Sequence, residues 1–118
     1  MKHYEDLCNE IFKIDKKIRY VGIIYESRTY QKMREGLQNI LTLEESRESM
    51  DDAIIRWKTR KKLSKKIGEA LYAMAVYEKI KRITFPLDNN GLLLVSMDSL
   101  GYHEVIIKEI FDIKNKFL

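Results

Sequence analysis

Apolar residues near the start of the chain recur at steps of three and four, which is typical of one face of an amphipathic helix over residues 4–15. The spacing then changes. Residues 18–25 are almost all β-branched, aromatic or otherwise apolar, and this predicts a strand covered on both faces. A more polar return strand is predicted over residues 29–33, after a short turn at 26–28. Gly36 follows that strand and ends it.

The longest element is predicted to begin at Thr42, which forms the pattern of a capping box with Glu45. Neither glycine nor proline interrupts the chain from there to Ile67, so we predict one long helix that Gly68 ends. Leu63 and Ile67 lie more than a quarter-turn from the main apolar stripe. We therefore expect either a bend near residues 59–60 or a second helix face that contacts a different surface. The main stripe consists of Met50, Ala53, Ile54 and Trp57.

Three further strands are predicted at short intervals. Residues 71–77 are apolar throughout, so we expect both faces of this strand to be covered. Residues 81–87 alternate between apolar and polar positions, and the Asn90-Gly91 pair is a hairpin signal with positive φ. Residues 92–97 form the last strand, and a terminal helix follows Gly101.

The predicted order of elements is α-β-β-α-β-β-β-α, an α+β arrangement with one five-stranded antiparallel sheet. We expect the two terminal helices to cover one face of the sheet and the central helix the other. The chain has 118 residues, of which 45% are hydrophobic, and it contains one proline. This length and composition predict a single domain over residues 1–118.

Cysteine content and hydropathy bear on the compartment. Cys8 is the single cysteine, so no internal disulfide can form, which fits a reducing environment. The first residues turn acidic at once and lack the apolar region of a signal peptide. No stretch approaches 18 consecutive apolar residues. We therefore expect a cytoplasmic protein.

The order of elements and three local segments resemble the roadblock/dynein-light-chain family, and more widely the profilin-like and PAS-like group of α/β domains. The segments are the Val-Gly-Ile core at residues 21–23, the Arg-Glu-Gly at 34–36 and the stretch at 56–62. The same layout is similar to a family of small uncharacterised archaeal proteins. The resemblance covers nearly the whole chain and rests on layout more than on an invariant motif.

The resemblance implies a homodimer that acts as a platform for other proteins, often small GTPases, with no catalytic residues to carry over. In roadblock-like topologies the strand at 71–77 is the edge of the sheet. It contains no charged residue, and so it lacks the lysine or proline that protects edge strands from pairing. Ile55 lies roughly opposite the main helix stripe and would be exposed on a monomer. The predicted dimer interface consists of Ile55, Leu71, Ala73, Ala75 and Tyr77.

No catalytic or cofactor-binding pattern stands out in the sequence. The five glycines are isolated, so none builds a phosphate loop, and no pair of Cys or His residues has metal-ligand spacing. We expect Cys8 to be a small core residue, and His3 and His103 to be surface residues. The acidic residues at the start of the central helix suit the helix dipole and are expected to be solvated. They are Glu44, Glu45, Glu48, Asp51 and Asp52.

The second half of the central helix places seven cations in eleven residues, with Trp57 among them. They are Arg56, Lys58, Arg60, Lys61, Lys62, Lys65 and Lys66. Three interpretations stay open: a solvated face at a helix C-terminus, a site for an acidic protein partner, or a site for nucleic acid or another polyanion. A further alternative function is a PAS-like small-molecule sensor. Its pocket would lie between the sheet and the central helix and could be lined by Tyr20, Trp57, Tyr72 and Tyr77.

Overall fold

A computed structural model describes residues 2–25 and 28–117 of the chain. The helices are α1 (Lys2–Ile14), α2 (Leu43–Ile67) and α3 (His103–Phe117). The strands are β1 (Ile18–Tyr25), β2 (Arg28–Met33), β3 (Ala73–Val76), β4 (Ile80–Pro86) and β5 (Leu92–Asp98), and a 3-10 turn spans Asp88–Asn90. The predicted order of elements and the α+β class are confirmed. Arg28 already belongs to β2, while the other two residues of the turn predicted at 26–28 lie outside the described residues.

The five strands form one antiparallel sheet in the order β2-β1-β5-β4-β3. The two most apolar strands, β1 and β5, are therefore interior, and β2 and β3 form the two edges. Burial follows this order, since β5 is almost wholly buried while β2 has no buried residue. The position of β3 at an edge agrees with the topology that the resemblance implied.

The sheet carries helices on both faces, as predicted. Helices α1 and α3 pack on one face and enclose the larger core, in which Cys8, Phe85 and Ile110 are fully buried. Helix α2 lies over the other face, where Met50 packs with Ile24 and Leu94. This second core is smaller and leaves clefts along both sides of α2.

The capping box predicted for α2 is present. The hydroxyl oxygen of Thr42 accepts from the Glu45 backbone N–H at 3.1 Å, and the Thr42 N–H donates to the Glu45 carboxylate at 2.9 Å. The helix then runs unbroken to Ile67. The N–H of Gly68, which has a φ of 90°, donates to the Ser64 carbonyl at 2.9 Å and ends it. Positive φ is readily adopted by glycine, which explains why this residue stops the helix.

Two sequence predictions need correction. The strand predicted at 71–77 is only four residues long, and its surroundings leave Leu71, Val76 and Tyr77 exposed instead of covered. The reason is its edge position, which gives it one neighbouring strand. In the hairpin after β4, positive φ occurs at Asn89 and Asn90, whereas Gly91 has a φ of −79°. Glycine is required at position 91 because the Tyr25 ring lies close to the backbone there, and a Cβ would overlap that ring.

Candidate interaction surface

The open side of β3 is an exposed and uncharged surface. Val76 and Tyr77 are 62% and 53% exposed, and the segment from 71 to 77 has no charged residue. The Tyr77 N–H donates to the Ile80 carbonyl of β4 at 2.8 Å. Since successive amides of a strand point in opposite directions, the N–H groups of Met74 and Val76 point away from β4. They form an unpaired edge that can accept another strand.

A second stripe of α2 faces the same side of the molecule. Its residues follow one another at steps of three and four, and three of them line a cleft together with Ala73 and Ala75 of β3. Leu63 and Ile67, which are 54% and 79% exposed, belong to this stripe. α2 is one continuous helix, and because Leu63 and Ile67 remain largely exposed, the second contact surface expected for them stays a prediction. The stripe consists of Glu45, Ser49, Asp52, Arg56, Arg60, Leu63 and Ile67.

The cleft between this stripe and the sheet has a volume of about 90 Å³ and contains three arginines. Arg82 of β4 lies between Ala75 of β3 and Ser96 of β5 in the strand register. These two small neighbours leave space above the sheet beside the Arg82 side chain. Arg56 and Arg60 of α2 line the opposite wall. We call this feature the arginine cleft.

The arginine cleft holds positive charge that no carboxylate of the described residues offsets by an ion pair. No carboxylate lines it, and within residues 2–25 and 28–117 none of the three arginines forms an ion pair. The Arg60 guanidinium lies 5.4 Å from the centre of the Trp57 ring, a cation–π contact that contributes little compared with a carboxylate. A planar guanidinium is suited to bidentate binding of a carboxylate or phosphate. The cleft therefore has the side chains to bind an anionic group.

Arg82 also affects the neighbouring Tyr20. Burial raises the pKa of the Tyr20 hydroxyl to about 12, although the positive charge of Arg82 acts in the opposite direction. The Tyr20 hydroxyl donates to the side-chain oxygen of Gln31 at 2.9 Å, so it stays a neutral donor at neutral pH. Because Tyr20 remains neutral, it provides no counter-charge for Arg82.

A larger cleft of about 400 Å³ lies on the opposite side of α2. Its floor is apolar, and Lys58 and Lys61 stand at its edge, where the Lys61 ammonium donates to the side-chain oxygen of Asn90. The lining residues are Ile24, Tyr25, Ile54, Trp57, Lys58, Lys61, Asn90 and Leu92. This cleft has the size of a ligand site.

The four aromatic residues proposed for a sensor pocket are not brought together. Trp57 lines the larger cleft, Tyr77 lines the arginine cleft and Tyr20 lines a third, smaller one. Tyr72 lies on the opposite face of the sheet, where its ring is 6.2 Å from those of Phe85 and Phe111. The sequence could not separate these positions because they depend on how α2 crosses the sheet.

The seven cations in the second half of α2, which we call the basic run, are likewise divided between surfaces. Arg56 and Arg60 face the arginine cleft, while Lys58 and Lys61 face the larger cleft. Lys62, Lys65 and Lys66 are exposed on the last turns of the helix. Arg82 was not among the predicted site residues. The one sequence signal for it was its polar position in the alternating pattern of β4.

The remaining candidates have structural surroundings. Cys8 is fully buried, as expected for a core residue, and burial raises the pKa of its thiol to about 11. His3 is exposed, whereas the expectation of a surface position for His103 is only partly correct. Its ring is half-buried, and its Nδ1 lies 3.1 Å from the Lys81 ammonium. The five acidic residues at the start of α2 are exposed. Across the residues described, no group of three or more potential metal ligands occurs.

None of the three helices, over the residues described, is both long enough and apolar enough to cross a membrane.

Comparison with known proteins identifies the fold. No family model matches the sequence, and no curated protein matches it either. Among solved structures, the gliding protein mglB from Thermus thermophilus superposes with a TM-score of 0.72 at 11% identity, over 98% of this chain and 88% of that one. The roadblock/LC7 domain from Streptomyces avermitilis gives 0.70 at 8% identity, over 93% and 90%. An MglB with a tetrameric arrangement gives 0.64 at 12% identity, over 98% and 93%.

The chain therefore has the roadblock fold, as the sequence resemblance implied.

Proposed function

We propose that this chain is a non-enzymatic interaction module that first pairs with a second copy of itself. The observation that supports this most strongly is the unpaired, uncharged and partly apolar edge of β3. A monomer normally protects such an edge with a charge, a proline or a covering element. Antiparallel pairing of β3 with its two-fold copy satisfies the Met74 and Val76 amides in one isologous interface.

The α2 face of β3 supports the same arrangement. Ala73 and Ala75 face this side, where they line the arginine cleft beneath α2. Their small side chains allow a second helix to approach the strand closely. In the proposed dimer the two α2 helices lie side by side above the joined sheets. The interface between the two copies then covers four exposed apolar residues, Leu63, Ile67, Leu71 and Tyr77. Ile55, which is 62% exposed, lies beside the contact between the two helices. Such an interface should bury more than ~1,000 Å² in total.

The dimer in turn would present a basic surface to a further protein. Lys62, Lys65 and Lys66 are exposed on the last turns of α2, and the chain carries a net charge of +4. Charge complementarity favours a partner with an acidic surface. A small GTPase is the kind of partner that the resemblance implies, and we propose it as the first candidate.

The experiment is light scattering at low micromolar concentration on the native protein and on Ala73→Lys and Ile55→Lys. We expect a native dimer that Ala73→Lys converts to a monomer, since a lysine at that position adds a bulky cation beside the three arginines, where the second helix approaches β3. Val105→Lys is the matched control for Ile55→Lys, because Val105 on α3 is an apolar residue as exposed as Ile55 and lies away from β3. A native mass near 14.1 kDa at every concentration refutes the proposal.

The 400 Å³ cleft favours a second candidate, a small-molecule sensor. Its volume falls within the usual range of ligand pockets, about 300–1,000 Å³. An aromatic floor with two lysines at the edge suits an apolar ligand that carries an anionic group. Trp57 is the only tryptophan, so anilinonaphthalene sulfonate can be titrated against its fluorescence. Saturable quenching that Lys58→Gln and Lys61→Gln both weaken supports the sensor. Weak, non-saturating quenching contradicts it.

A further inference from the structure

We infer that the anion received by the arginine cleft is a carboxylate of the second copy, Asp52 of its α2. This inference rests on the proposed homodimer and adds the register of its helices. Asp52 belongs to the same stripe of α2 as Arg56 and Arg60, and its side chain is exposed. In its own chain it forms no ion pair within the described residues, although Arg56 is one turn further along the helix.

The residues of this stripe occur at equal sequence distances before and after Arg56. When two such helices run antiparallel with the two-fold axis at Arg56, residue 52 lies opposite residue 60, residue 49 opposite 63 and residue 45 opposite 67, and the two Arg56 side chains meet at the axis. Asp52 of each copy then meets Arg60 of the other, twice per dimer. Ser49, which is small, faces Leu63 and leaves room for its side chain. The acidic first half of each helix thus lies against the basic second half of its copy.

The chemistry of the cleft fits a carboxylate in this position. Arg60 and Arg82 are half-buried, and partly desolvated cations of the same sign destabilise one another unless an anion lies between them. A carboxylate can accept two parallel N–H bonds from one guanidinium and has remaining lone pairs for a neighbouring one. An aspartate arriving at Arg60 in the cleft also reduces the repulsion from Arg82. The two Asp52 carboxylates, one turn from the axis on either side, offset the repulsion between the two Arg56 side chains that meet there. The pairing therefore contributes specificity for an antiparallel copy.

The test is complementation between two charge-reversed variants, Asp52→Arg and Arg60→Asp. Each variant alone places like charges opposite one another twice in its homodimer, and we expect its dissociation constant to rise at least ~10-fold. An equal mixture of the two forms a heterodimer in which both contacts join opposite charges. The mixture should return to within a few-fold of native affinity, measured by sedimentation equilibrium. Rescue by mixing cannot arise from a contact within one chain.

Asp51→Arg is the matched control, because it makes the same change in net charge at an exposed position outside the stripe. We expect it to dimerise as the native protein does. If the native protein is a dimer and neither charge reversal changes its dissociation constant, this helix register is wrong, while the homodimer itself stands. Single variants that weaken the dimer without rescue on mixing also overturn it. Saturable binding of inorganic phosphate that Arg60→Gln and Arg82→Gln abolish, with the dimer unchanged, assigns the cleft to a phosphate ligand instead. A native monomer refutes the proposed function itself.

Discussion

The removal of the Arg34 side chain tests how the start of the fold is held together. Its guanidinium donates to three backbone carbonyls, those of Ile18 at 2.6 Å, Phe12 at 2.7 Å and Asp15 at 2.7 Å. It also lies 5.1 Å from the centre of the Phe12 ring. One side chain at the end of β2 thus joins the last turn of α1 to the first residue of β1. This gives a physical reason for the Arg-Glu-Gly segment at 34–36 that the sequence resemblance included.

The expected cost of Arg34→Met follows from these contacts. A hydrogen bond to a charged group contributes about 1.5–3 kcal/mol when well shielded. Arg34 is only half-buried, so water can replace part of each bond, and about 1 kcal/mol per bond is the better value. We therefore expect the free energy of unfolding to fall by about 2–4 kcal/mol. The free energy of unfolding of Arg34→Lys should lie between those of the native protein and Arg34→Met, because an ammonium cannot reach all three carbonyls in one plane.

Urea unfolding followed by circular dichroism measures this change. All variants should be compared at one protein concentration, because the stability of a dimer depends on concentration. Arg28→Met is the matched control: Arg28 is exposed at the other end of β2, and its loss should change stability by less than about 0.5 kcal/mol. If Arg34→Met is as stable as Arg28→Met, the three bonds do not hold these elements together.

Three further predictions concern a helix end, the cysteine and the basic run. Gly68→Ala should lower the unfolding free energy by about 1–2 kcal/mol, because φ is 90° there, and an unchanged urea midpoint would contradict this. Cys8 should react with a thiol reagent slowly in the folded protein and rapidly in urea, since burial raises its pKa to about 11; rapid labelling of the native state would refute its inertness. Fluorescence anisotropy at low salt should show no binding of DNA or RNA at micromolar protein. Salt-sensitive binding that is lost when four lysines are changed together to glutamine would establish a nucleic-acid function instead. These lysines are Lys61, Lys62, Lys65 and Lys66.

The sequence predicted the order of elements because most of them have a strong local pattern. The step of three and four in α1, the uniformly apolar β1 and the capping box at Thr42 are all local signals. The displacement of Leu63 and Ile67 from the main stripe leaves both residues exposed on another face of the continuous helix α2, so the surface predicted to contact them stays a prediction. The exposure of β3 could not be derived from its own apolar sequence, since an edge strand and an interior strand can have the same composition.

The arginine cleft was beyond sequence reasoning for a different reason. Arg56 and Arg60 belong to the basic run in the sequence, yet they face away from Lys58 and Lys61 and toward β4. Arg82 is distant from them in sequence and becomes their neighbour only when α2 packs across the sheet. A charge count along the chain shows that cations are numerous, whereas the structure shows which of them share one cleft.

Backbone amide exchange in β3 tests the central claim of a homodimer most directly. The backbone N–H groups of Met74 and Val76 point away from β4. The N–H of Ala75 points toward β4 and is hydrogen-bonded within the chain. We predict that, at concentrations that support the dimer, Met74 and Val76 exchange as slowly as Ala75, and that they become fast on dilution. If Met74 and Val76 exchange at the rate of an unstructured peptide while Ala75 stays protected at every concentration, β3 is a free edge and the proposed pairing is wrong.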